Sequence, residues 1–322
     1  MEVRTRYVVF GGTGVLIVGF FCGLVAFHES GPSMLAEVQE GPSQFRYLPA
    51  DASVVAFANV RDVIYSGSWQ RLRETRPELD GEREFQEQTG IDIENDIDEV
   101  VACLVPKGSG TADGLVILSG RFSTTRLEAL ARARGATLGE YEGRRLVKTV
   151  AGESEVAMAF VEDGVVALGS ERTIRRAIDL VATGDDITSN ALLMSMFGNI
   201  ESGSDAWVIG RLDDSTVPAW LPEVVATQTQ KVAAFAATVR INGGVSGMVT
   251  VETRDDEAGQ NLHDILQGFL VLTRMQTISQ PELRTLLDSL KLSTLGTAVS
   301  LSFTFPLEIA QQFLSATAEQ DE

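Results

Sequence analysis

The sequence predicts an α+β protein behind a membrane anchor, and three observations carry that prediction. A 21-residue run without a charged side chain, Tyr7–Phe27, stands near the N-terminus. Beyond it, short apolar strands are joined by hairpin signals such as Asp163-Gly164 and Asn242-Gly243-Gly244. Between the hairpins lie segments with apolar residues at helical spacing, a mixture that favours antiparallel or mixed sheets carrying amphipathic helices.

The first element carries a decoy. "YVVFGGTGVLIVGF" places Gly11, Gly12 and Gly14 behind an apolar strand, as a dinucleotide-binding loop would. Such a loop opens an amphipathic helix, whereas "VLIVGFFCGLVAF" has no polar face. The next stretch, "HESGPSMLAEVQEGPSQ", is polar and broken by Pro32 and Pro42, so it supplies neither the second strand nor its terminal acid. As a helix, Tyr7–Phe27 reaches about 31 Å, close to the thickness of a hydrocarbon core. Arg4 and Arg6 precede it, while Glu29, Glu37 and Glu40 follow it. That asymmetry predicts a cytoplasmic N-terminus (residues 1–6), a transmembrane signal anchor (7–27) and a periplasmic or extracellular remainder on an inner membrane. Leu24 and Ala26 make a poor cleavage site, and Phe21 occupies the place where lipidation of Cys22 needs a small residue, so the anchor is expected to stay uncleaved. Gly19 and Gly23 form a Gly-x-x-x-Gly pair that can bring two helices together as a homodimer; ordinary glycine content of a membrane helix is the alternative.

Residues 28–47 read as a linker punctuated by Gly31-Pro32 and Gly41-Pro42. A first extracytoplasmic unit is expected over 48–184. "SVVAFANV" is a strand, followed by a short helix around Trp69 and Leu72. "IDEVVACLV" and "GLVILSGRF" are strands separated by the loop "PKGSGTAD". Thr125 and Glu128 suit a capping box for "TRLEALARARG", which Gly135 closes. "RRLVKTV" and "VAMAFVEDGVVALGS" are further strands. Ser170 caps the helix "SERTIRRAIDLVATG", with Ile174, Ile178 and Val181 on one face and Gly184 at its end.

The second unit, 185–322, repeats this order. "SDAWVIGRLDD" parallels "DASVVAFANVRD", and Trp220 parallels Trp69. "VAAFAATVRI" and "VSGMVTVETR" flank the Asn-Gly-Gly turn. The helix "EAGQNLHDILQGFLVLTRM" puts Leu262, Ile265, Leu266, Phe269 and Leu270 on one face, after a start made favourable by Asp255, Asp256 and Glu257. "PELRTLLDSL", "TAVSLSFTF" and "PLEIAQQFL" complete the chain. Two tandem similar units are expected, with one continuous domain as the alternative.

Composition narrows the function classes. A formal net charge of −19 would repel nucleic acid phosphates. The arginine groups Arg71, Arg73, Arg76 and Arg172, Arg175, Arg176 are interleaved with acids and read as solvated, locally paired faces. Cys22 and Cys103 lie on different sides of the predicted anchor boundary, so no disulfide is expected, and Cys103 reads as a buried thiol in a strand covered on both sides. His28 and His263 are the only histidines; no second ligand stands at helical spacing for a zinc site, and the closest string to a hydrolase's Gly-x-Ser-x-Gly elbow, "GGVSGM", lacks its spacing. "GIDIENDIDEV" offers Asp92, Glu94, Asp96, Asp98 and Glu99. A capped turn with solvated acids is the expectation, and calcium binding is the competing reading. No catalytic, cofactor or metal residue is therefore assigned.

"LPADASVVAFANVRDVIYSGSWQ" and "TGIDIENDIDEVV" resemble segments of bacterial membrane-anchored envelope proteins of unknown function. The resemblance implies bacterial origin and export, and no activity. The reading is then a single-pass, non-catalytic extracytoplasmic interaction or scaffold module with an envelope protein as partner. An apolar-ligand-binding module and a carboxylate-based enzyme are the alternatives.

Overall fold

The computed structural model describes residues 41–67, 69–70, 86–87, 90–108, 111–151, 154–211, 231–241, 244–276 and 287–306. The predicted anchor, Gly19, Gly23, Cys22, His28, the first arginine group, Leu72 and Trp220 lie outside these residues, as do "PLEIAQQFL" after its Pro306 and most of "PELRTLLDSL". The fold is α+β with extensive antiparallel sheet and several helices, and each strand pairing within either unit is antiparallel. No helix among the described residues is long and apolar enough to cross a membrane. The chain divides into two compact units that part between Met194 and Ser195.

The first unit begins with a 3-10 turn, Ser43–Tyr47, whose Gln44, Phe45 and Tyr47 are buried. Its strands are β1 (Val54–Asn59), β2 (Ile97–Gly108), β3 (Thr111–Gly120), β4 (Thr137–Tyr141), β5 (Arg144–Ala151), β6 (Ser154–Glu162) and β7 (Val165–Gly169). Their order across the sheet is β1-β2-β3-β7-β6-β5-β4. The helices are α1 (Val60–Tyr65), α2 (Ile93–Asp96), α3 (Thr124–Ala133) and α4 (Glu171–Thr183), with α5 (Ala191–Phe197) leading into the second unit.

Register explains the core. Phe57, Val101, Ile117, Ala167, Ala159 and Leu146 form one cross-strand row, and Val55, Cys103, Leu115, Gly169 and Ala157 form the next. A β-carbon added to Gly169 would meet Thr173 Oγ1 at 2.7 Å, so these rows face α4. From α4, Ile174, Ala177 and Ile178 close over them. Each such aliphatic side chain contributes about 2 kcal/mol by leaving water. Ser170 caps α4 by accepting from Thr173 N–H, and Gly184 ends it at φ +73°, as the sequence predicts.

Several local expectations are corrected. Helix α3 starts two residues early, because Ser123 rather than Thr125 accepts the Arg126 N–H. Glu128 is consequently released from any cap and lies buried beside Arg132 and Arg145. A further helix, starting at Val60 with Asn59 accepting the Asp62 N–H, precedes the one expected around Trp69, where Trp69 and Gln70 are helical. "PKGSGTAD" is mostly strand: Pro106 pairs with Ala112 and Gly108 with Thr111. The strands β4 and β11 and the helix α5 carry no prediction above, being too short for their periodicity to register.

The second unit has β8 (Ala206–Gly210), β9 (Val232–Ile241), β10 (Gly244–Thr253), α6 (Asp256–Gln276), β11 (Lys291–Leu295) and β12 (Ala298–Pro306), with sheet order β8-β9-β10-β12-β11. Val245 pairs with Ile241 across the Asn-Gly turn, of which Asn242 and Gly243 lie outside the described residues. Asp255 Oδ1 accepts the Ala258 N–H at 2.7 Å, so the predicted acidic helix start is real. Along α6, Ala258, Leu262 and Leu270 are buried against the sheet, but Phe269, expected on that face, is 56% exposed. Phe197 of α5 stacks edge-on against Trp207 of β8, with ring centroids 5.2 Å apart.

Candidate functional site

The first unit carries its surface chemistry in charged clusters held to its sheet. The most enclosed centres on Asp113, near the start of β3, which is only 8% exposed. Its carboxylate accepts from Arg172 Nη2 at 2.8 Å and Nε at 3.2 Å, and from Ser170 Oγ at 3.2 Å; Lys107 pairs with its other oxygen. Burial by itself would raise this carboxyl, but hydrogen bonds from Lys107, Arg172 and Ser170 outweigh it and hold the group below the ordinary aspartate value. The geometry ties the β2–β3 hairpin to the first turn of α4.

The arginines of α4 behave in two ways. Arg175 pairs within the helix with Glu171, as the interleaved charges predict. Arg172 and Arg176 instead leave the helix, to Asp113 and to Asp51. Lys148 of β5 also reaches Glu171, and the bonds from Arg175 and Lys148 lower that carboxyl. Tyr141 donates its hydroxyl to Asp179 under the Arg175 guanidinium, which sits 4.4 Å from the ring centre; the Asp179 bond raises the phenol. These contacts fasten the β4–β5 hairpin to α4.

A third group holds the chain's entry into the fold. Gln44 donates its Nε2 to Glu99 at 2.8 Å and to Ser119 at 2.6 Å, and Arg46 pairs with Glu162. Burial pushes the Tyr47 phenol up to about 12.

The acidic run resolves into a turn. Asp92 caps α2, accepting from Glu94 N–H, Asn95 N–H and the Asn95 amide. Burial would raise the Asp92 carboxyl, but these bonds lower it. Asp96 accepts the Asp92 N–H, and Asp98 pairs with Arg61. Asp92, Asp96 and Asp98 each meet donors of the protein itself, and no group of three or more metal-ligating side chains occurs among the described residues. Cys103 is buried with its thiol pushed up to about 12 by desolvation. His263 is half-buried on α6, 3.2 Å from Asp264. The residues the sequence singles out are thus dispersed over both units. The Asp113 cluster was not legible in advance, because Asp113 and Arg172 are 59 positions apart and meet only through the pairing of β3 with β7, which leads into α4.

An Asp113→Asn variant tests the electrostatics. The folded carboxyl is depressed, so its contribution is fully present above the unfolded value near pH 4 and is lost as pH falls through the lower folded value. At pH 7 the variant should lose about 2 kcal/mol, the range for hydrogen bonds to a charged group. In acid the two proteins should converge, and urea unfolding across pH reads both effects.

No protein-family model and no curated protein matches the chain. Among solved structures, crystal form III of TP0453 is similar with a TM-score of 0.46 and 9% identity, covering 87% of this chain and 100% of that one. Form IV gives 0.45, 10%, 88% and 100%, and form I gives 0.41, 8%, 85% and 97%. Likeness at this level carries no argument about function or site.

Proposed function

We propose that the chain is a single-pass membrane protein of the bacterial envelope whose exported part is a non-catalytic interaction or scaffold module. The observation that carries this is the uncharged span Tyr7–Phe27, led by Arg4 and Arg6 and followed by acids. Within the exported part, Asp92, Asp113 and Glu171 are all lowered, the opposite of what a general acid near neutrality requires. The Cys103 thiol is protonated at neutral pH. Both facts favour a structural role for these groups.

The exported part consists of two tandem, distantly similar units. Matching strand order supports this. In each, three consecutive strands pair in sequence (β1-β2-β3 and β8-β9-β10), and a helix follows the third. The last strand then returns to the third strand's outer side and pairs with its own predecessor: β7 beside β3 and β6, β12 beside β10 and β11. The first unit adds the β4–β5 hairpin.

Two experiments test the proposal. A periplasm-active reporter fused after Glu322 should be active, and a cytoplasm-active one silent; the reverse pattern rejects the topology. In-cell crosslinking of the full chain should recover one defined envelope protein, whereas background capture alone counts against the interaction role.

A further inference from the structure

We draw no further inference here: the strongest candidate, the outward-facing apolar side chains Phe269, Val271, Leu272 and Met275 on the C-terminal half of α6, is an unpartnered face, and nothing in the structure shows what covers it.

Discussion

Replacing Ile17 and Val18 together by arginine is expected to release the full-length chain from the membrane fraction. Both positions stand at the middle of the uncharged span. Each arginine there costs about 3 kcal/mol of insertion free energy, so the pair costs about 6 kcal/mol, or roughly four orders of magnitude in partitioning. Carbonate-washed membranes should retain the wild type and lose the variant. A Cys22→Ser control, which adds no charge, should sediment like wild type. If the double-arginine chain also remains in the washed membranes, the span is not what holds the protein there. The scaffold proposal would then lose its compartment.

Gly120→Ala should cost about 3 kcal/mol of folding stability, the upper part of the range for forcing atoms into a packed site. Gly120 ends β3, where an added β-carbon would overlap the Asp96 carbonyl oxygen of the α2 turn. That oxygen is already held by the Arg121 N–H at 2.7 Å, so neither backbone can yield cheaply. Gly114, in the same strand, is the matched control: a β-carbon there meets nothing within 4 Å. Gly114→Ala should be neutral or stabilising by up to about 1 kcal/mol, because it only restricts the unfolded chain. Thermal unfolding in mild detergent separates the two. Equal midpoints would mean that the close approach of β3 to the α2 turn is not maintained in solution.

Local signals and long-range ones fared differently. Ser170, Gly184, Asp163-Gly164 and Asp255 each act within a few residues of themselves, through a cap, a positive φ or a two-residue turn, and their roles could be read directly. Thr125 failed as a cap because Ser123, two residues earlier, offers an equivalent oxygen, and propensity does not choose between neighbours. Phe269 has perfect helical spacing yet stands largely in water, since periodicity names a face but not how far a neighbouring strand extends beneath it. Arg172 and Arg176 looked like members of a solvated helical ladder. Their partners, Asp113 and Asp51, come from distant segments that only the fold aligns.

By itself the sequence determined the α+β class, most strand positions, the ends of α4 and a strongly negative net charge. These follow from side-chain period, turn stereochemistry and summed charge, all local or additive properties. Tertiary structure alone decided that Asp113 joins Lys107, Arg172 and Ser170, and that Gln44 bridges Glu99 and Ser119. The reason is that a carboxylate's role depends on which donors reach it first. That is set by strand register and helix placement across dozens of residues, which a linear pattern does not encode.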